Sequence, residues 1–195
     1  MMIELLVAMA LIAGGLAALM GVFSSSEKLS TNSEKLMAAS HVSQRELEAI
    51  LALRYDQIGL TSIPSGSASR TNPNFYVVSD AATCAAATPA ATSAPCFRWD
   101  RSNTSQMENF CATSSTLPCS TGTVDPGPTS WGSGRLTGSI YRYVTWVRDS
   151  CPTCNGSTDM KRVTIAVTVD GPNAPKVPII NSTIVTNPSA GPGAG

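Results

Sequence analysis

From Leu5 to Phe23 the chain runs 19 residues without a charged side chain, LLVAMALIAGGLAALMGVF, and the one charge before it is Glu4. As a helix rising 1.5 Å per residue the run spans roughly 28 Å, close to the hydrocarbon thickness of a bilayer. A secretory signal peptide would carry basic residues ahead of such a run. Here no Lys or Arg precedes it, and the residue in front is an acid. A plain membrane anchor is the other ordinary reading, but a carboxylate at the start of the segment is costly in lipid. Glu4 therefore needs a neutralising partner, and the α-amino group of a neighbouring subunit is a physically sensible one.

Residues 24–54 continue without Gly or Pro and change from uniformly apolar to amphipathic. Leu29, Leu36, Val42 or Ser43, Leu47, Ile50 and Leu51 recur near helical spacing, with Glu27, Lys28, Glu34, Lys35, Arg45, Glu46, Glu48 and Arg54 elsewhere. The pattern predicts one helix from near Met2 to Arg54, ended by turn chemistry at Asp56 and Gly59. Gly14-Gly15 is its weak point, since each Gly costs about 1 kcal/mol in a helix interior. Close packing through Gly14, Gly15, Ala17 and Ala18, or local unwinding on assembly, would each account for the pair. His41, the sole histidine, lies on this helix and is read as a surface or core residue rather than a ligand.

Met2-Ile3-Glu4-Leu5-Leu6-Val7-Ala8-Met9 resembles the N-terminus of type IV pilins and pseudopilins. In that family a glutamate at the fifth mature position precedes about twenty apolar residues, a peptidase removes a leader, and the new N-terminal residue is methylated. By position Glu4 matches the glutamate, and Leu5 through Phe23 match the apolar helix. Here the acid stands fourth with no Phe before it, so processing and methylation are implied by the resemblance alone. The resemblance implies a structural filament subunit, with Glu4, Leu5, Leu6, Val7, Met9, Leu11, Gly14, Gly15 and Leu16 at the assembly surface. It further implies as partners other copies or other pilins, an inner-membrane platform protein, an assembly ATPase and a prepilin peptidase. The chain would sit in the inner (cytoplasmic) membrane before assembly and in a cell-surface filament after it. A pseudopilin of a type II secretion system, or a membrane-anchored extracellular binding module or enzyme, are the competing readings.

Beyond the helix the chain reads as β-rich. Asn74–Ser79, Ser139–Arg148, Lys161–Asp170 and Val177–Thr186 are the predicted strands, the second and third joined as a hairpin. Val163, Ile165, Val167 and Val169 alternate with Thr164, Ala166 and Thr168, which predicts one face on a core against the long helix. The expected fold class is α+β: a long N-terminal helix whose apolar half protrudes, packed on a small antiparallel sheet of three to five strands. The implied boundaries are 1–26 for the apolar helix, 27–60 for its amphipathic continuation, 61–186 for the head and 187–195 for a flexible tail. The stretches 81–95 and 113–134 are rich in Ser, Thr, Ala, Gly and Pro and are expected to be surface loops ordered mainly by cross-links.

All six cysteines, Cys84, Cys96, Cys111, Cys119, Cys151 and Cys154, follow the helix. An even count in a small loop-rich head behind an apolar segment points to disulfides in an oxidising compartment. Sequential pairing, Cys84–Cys96, Cys111–Cys119 and Cys151–Cys154, closes three short loops, each worth about 2–3 kcal/mol on the loop-entropy model. Zinc at Cys151-Pro152-Thr153-Cys154 would need two more ligands, and redox catalysis would need a helix after the first Cys.

No catalytic constellation stands out, and neither a metal nor a cofactor is expected. Asp80, Asp100, Glu108, Asp125, Asp149, Asp159 and Asp170 are scattered, and no G-x-S-x-G accompanies the serines. Gly132-Ser133-Gly134 lacks the Lys and helix of a phosphate loop, and Asp125-Pro126-Gly127-Pro128 is explained by turn chemistry. Residues 61–186 carry nine basic and seven acidic side chains, and the whole chain is neutral, so no nucleic-acid partner is expected. Asn103-Thr104-Ser105, Asn155-Gly156-Ser157 and Asn181-Ser182-Thr183 fit the N-glycosylation pattern, which is common by chance in a Ser/Thr-rich chain.

Overall fold

A computed structural model of the chain describes residues 2–84, 95–100, 106–113, 119, 121–147, 160–172 and 174–188. The first α-helix, α1, runs from Met2 to Leu51 and passes through Gly14-Gly15 without a break. Its sequence is dense in Ala, Leu, Met and Glu, which favour helix, and its 50 residues span roughly 75 Å. The helix stops three residues short of Arg54, so Asp56 and Gly59 do not end it. The chain tightens just past its end: the Leu53 N–H donates to Ile50 O at 3.1 Å, and beyond it the Gln57 N–H donates to Arg54 O at 2.9 Å. Gly59 has a different task, because a Cβ there would stand 2.5 Å from Cβ of Cys119.

The chain after α1 is stitched into the middle of the head. Leu60 forms parallel bridges to both Ala112 and Val124. Its N–H donates to Cys111 O at 2.8 Å and its carbonyl accepts from Thr113, while Val124 and Gly59, and Thr61 and Val124, are bonded at 2.8 and 2.9 Å.

Two antiparallel sheets follow. The smaller joins β1 (Val77–Val78), β2 (Cys96–Arg98) and β3 (Met107–Asn109) in that order. The larger joins β4 (Thr129–Ser133), β5 (Leu136–Trp146), β6 (Met160–Val169) and β7 (Ile179–Thr186) in that order. The hairpin partners and the last strand therefore lie where alternation places them, within three residues at each end. The expected strand over 74–79 is mostly a 3-10 turn, Pro73–Tyr76, because the Asn72 side chain accepts the Asn74 N–H at 2.9 Å and starts a turn. Within 113–134, expected to be loop, β4 is a strand and Cys119, Val124 and Trp131 are buried. Trp131 reaches across Gly138 to donate its indole N–H to Thr168 O at 3.0 Å. A Cβ on Gly138 would collide with that carbonyl, so the crossing requires glycine.

The larger sheet is covered on both faces. Arg142 and Asn181 turn towards α1, and with them, by register, Ile140, Val144, Val163, Ile165 and Val167. Alternation predicts one face on a core, and Tyr143, Thr145, Thr164 and Ala166 are buried on the other face as well. Tyr143 stacks on Phe97 of β2 at 4.4 Å and donates its hydroxyl to Asn74 at 2.7 Å. Within 113–134, expected to be ordered mainly by cross-links, Val124 and Trp131 join the apolar core that holds Ile58, Leu60, Phe97 and Phe110.

The docked face of α1 takes only the C-terminal part of the stripe expected of it, Val42, Ser43 and Ile50 with Leu47 packed half-buried against the core. Lys35, Ala39, Val42, Ser43 and Ile50 are buried, whereas Leu29, Leu36 and Leu51 stay exposed. A flat sheet lined by Ile and Val supplies the bulk at this contact, so small residues on the helix allow a closer approach.

Candidate functional site

Sequence-predicted assembly residues Glu4, Leu5, Leu6, Val7, Met9, Leu11, Gly14, Gly15 and Leu16 all lie on the half of α1 that projects from the head. The helix is long and apolar enough to cross a membrane, and none of its most apolar 18-residue stretch is covered by the rest of the chain. Met2, Leu11, Met20 and Phe23 are 85%, 72%, 73% and 68% exposed. The space around Gly14, Gly15 and Gly21 is open, so at these positions the backbone itself lies at the surface. Glu4 occupies the first turn of α1, where the partial positive charge of the helix N-terminus favours a carboxylate.

Four polar anchors fix the other half of α1 and its exit to the head. The Lys35 ammonium donates to Pro172 O at 2.6 Å, and Asn181 Nδ2 donates to Ser43 Oγ at 2.6 Å. Arg142 forks onto Glu46 Oε2, with Nη2 at 2.6 Å and Nε at 3.1 Å. Lys161 Nζ donates to the carbonyls of Tyr55 at 2.8 Å and Ile58 at 2.7 Å and lies over the rings of Tyr55 and Trp146. Burial lowers the Lys161 pKa to about 8, and the nearby Asp56 charge works against that fall. These anchors are absent from the sequence-based candidates, and nothing local distinguishes them from other charged residues. Asn181 spends its amide on Ser43, so the pattern Asn181-Ser182-Thr183 is occupied structurally.

On the opposite face, Glu108 is buried between Thr145 Oγ1, which donates at 2.5 Å, and Arg162 Nε at 3.1 Å. Burial pushes the Glu108 carboxyl up, against the hydrogen bond from Thr145 and the charge of Arg162, and Arg162 stacks over Trp99 at 4.2 Å. Every part of this group is satisfied within the fold, as a structural ion pair requires. Among the described residues no group of three His, Cys, Asp or Glu is placed to hold a metal ion.

Cys84 is bonded to Cys96, and Cys111 to Cys119. These are two of the three sequential pairs, and Cys151-Pro152-Thr153-Cys154 lies outside the described residues, as do Asn103 and Asn155. His41 is exposed and, with Ala38, Val42, Arg45, Gly132 and Ser133, lines an open groove of about 470 Å³ between α1 and β4. The arrangement as a whole presents a rigidly held head and an uncovered apolar rod. Comparison with family models, with curated proteins and with solved structures returned no match for this chain.

Proposed function

We propose that the chain is a structural subunit of a type IV pilus-like filament that assembles through the exposed half of α1. The observation that carries this reading is one continuous helix whose apolar half is uncovered while its other half is locked to a head. Before assembly the apolar half lies in the inner membrane, with the disulfide-bonded head in an oxidising compartment outside it. Assembly replaces lipid around Leu5, Leu6, Val7, Met9, Leu11 and Leu16 by neighbouring helices. That exchange gains little from the hydrophobic effect and depends on close packing, for which Gly14 and Gly15 leave room. Glu4 is matched to the N-terminal amine of the adjacent subunit and sets the register between them. Other pilins, a platform protein, an assembly ATPase and a prepilin peptidase are the partners this role requires.

The test is Glu4→Ala in the full chain, read as filament yield in sheared cell-surface material by electron microscopy and immunoblot. Loss of most of the filament, with the chain still present in the membrane, is the expected result. Unchanged yield would overturn the role of Glu4, and the absence of any filament containing the unaltered chain would overturn the assembly reading itself.

A further inference from the structure

We propose that before assembly the head leans onto the bilayer that holds its own rod, where Lys28, Arg135, Lys176 and Val177 rest on anionic lipid headgroups. The inference rests on the reading of α1 as a membrane segment and adds a second contact between the same chain and the same membrane.

The head has a fixed direction along α1. Lys35 is bonded to Pro172, just after β6, and Gly132 and Ser133 at the end of β4 stand across the groove from Ala38 and His41. Further along the helix Glu46 meets Arg142 in the second half of β5, and past its end Tyr55 and Ile58 meet Lys161 at the start of β6. The end of the head nearest the apolar run is therefore made of two connections, β4 to β5 and β6 to β7. Each protrudes at a glycine of positive φ, Gly134 at 60° and Gly171 at 104°, where an added Cβ would meet nothing within 4 Å.

Unpaired basic charge is concentrated at this end. Arg135 and Lys176 are exposed on the two connections, and Lys28 is exposed on α1. Lys28 lies about two turns before Lys35 and so shares its side of the helix, beneath the head. None of the three has an ion-pair partner among the described residues, whereas Arg45, Arg54, Arg142 and Arg162, farther from the apolar run, are each paired with a carboxylate. The nearby acids are placed otherwise. Glu27 and Glu34 precede Lys28 and Lys35 and lie about 100° round the helix from them, and Asp170 accepts from the Thr137 hydroxyl at 3.4 Å. Val177, beside Lys176, is 59% exposed. Loop tips that carry basic side chains next to an uncovered apolar one suit a headgroup layer, in which Lys and Arg reach phosphates while the apolar tip enters the interface.

The distances allow the contact. The apolar run ends at Phe23, and Asn32 is the first residue of α1 that the head half-buries. The helix rises about 14 Å between them, of which the headgroup layer takes roughly 6 Å. An ordinary tilt of about 20° towards the head lowers a point about 15 Å from the helix axis by about 5 Å, and extended Lys and Arg side chains span the rest. Each basic side chain at an anionic surface favours contact about fivefold, so the three together favour it roughly a hundredfold, and a neutral surface offers none of this gain.

Reconstitution of the full chain tests the contact, in vesicles of phosphatidylcholine alone or mixed equally with phosphatidylglycerol. A Val177→Cys chain carrying an environment-sensitive fluorophore reports it through emission and through quenching by acrylamide, with the unaltered chain treated alike as the labelling blank. In the anionic vesicles emission is expected to shift to the blue and quenching to fall. Both effects are expected to be lost when Lys28→Glu and Arg135→Glu are added, and in the unsubstituted background at high salt. The two substituted side chains are exposed, unpaired and remote in sequence from the label, so the melting temperature of the head is expected to stay the same. Equal emission in the two kinds of vesicle, or a shift that survives the double substitution or high salt, overturns the inference and leaves the membrane reading intact. A chain that floats with neither kind of vesicle removes the membrane reading and this inference with it.

Discussion

Residues 2–34 and 35–51 belong to the same helix, yet the more apolar part is uncovered and the more polar part is covered. In the first part side chains as large as Leu11, Met20 and Phe23 lie open, an area far beyond what a soluble monomer exposes in one patch. In the second, Lys35 and Ser43 are buried and Glu46 is nearly so, while Leu36 and Leu51 look outward. Burial in this helix thus follows complementarity with the sheet rather than hydrophobicity. The sheet contributes the apolar bulk, the helix contributes small residues, and Lys35, Ser43 and Glu46 each have a partner, Pro172, Asn181 and Arg142, that offsets desolvation.

The contrast is broken most directly by matched truncations. Ile50→Ala, in the docked part, is expected to lower head stability by about 3 kcal/mol, measured by urea unfolding in detergent. Leu16→Ala, in the exposed part, is expected to change it by no more than about 0.5 kcal/mol. Equal effects would mean that the exposed part packs on the head after all. A smaller effect comes from Lys161, which anchors the chain just beyond the docked part. Its pKa of about 8 lies below the ordinary 10.5, so between these values the unfolded chain binds more protons than the folded one. Stability then rises with pH across that window. The melting temperature of the head is expected to climb from pH 8 towards about pH 9.5, below the range in which Tyr141, pushed up by burial and Asp170, opposes the trend. A flat profile, or the same climb in Lys161→Met, would remove Lys161 as its source. The smallest effect on the head is expected from Gly15→Ala, which raises helix stability by up to about 1 kcal/mol. Circular dichroism in micelles should record less fraying, with head unfolding unmoved.

The apolar rod and strands β5–β7 are legible because each depends on local periodicity: 19 uncharged residues, or Val163, Ile165, Val167 and Val169 alternating with Thr and Ala. β1 lies within the predicted strand 74–79, but β2 and β3 are not legible in that way. All three have two or three residues each, and their burial comes from contacts such as Phe97 on Tyr143. Val42, Ser43, Leu47 and Ile50 of the expected helix stripe do face the sheet, whereas Leu29, Leu36 and Leu51 do not, since apolar spacing does not show which face the sheet can fit. Its anchors are separated by 137 residues for Lys35 to Pro172, 138 for Ser43 to Asn181 and 96 for Glu46 to Arg142. Pairings across such distances leave no local pattern. The exposed candidates Glu4 to Leu16 lie on the projecting helix by simple continuity of the run, whereas what they contact is a matter of assembly.

The threading of residues 58–61 gives the head a particular mechanical character. A pull along α1 that overcomes the Lys35, Ser43 and Glu46 anchors passes next to Leu60, held on one side by Cys111 and Thr113 and on the other by Val124. Leu60 is bridged to segments on both sides, so a load on it is shared by both sets of hydrogen bonds. The Cys111–Cys119 bond closes one flank covalently, and Lys161 ties the entry point to the central strand β6. Load is therefore delivered to the interior of the head and spread over three segments, a form of attachment suited to a part that must bear tension without unravelling from its end.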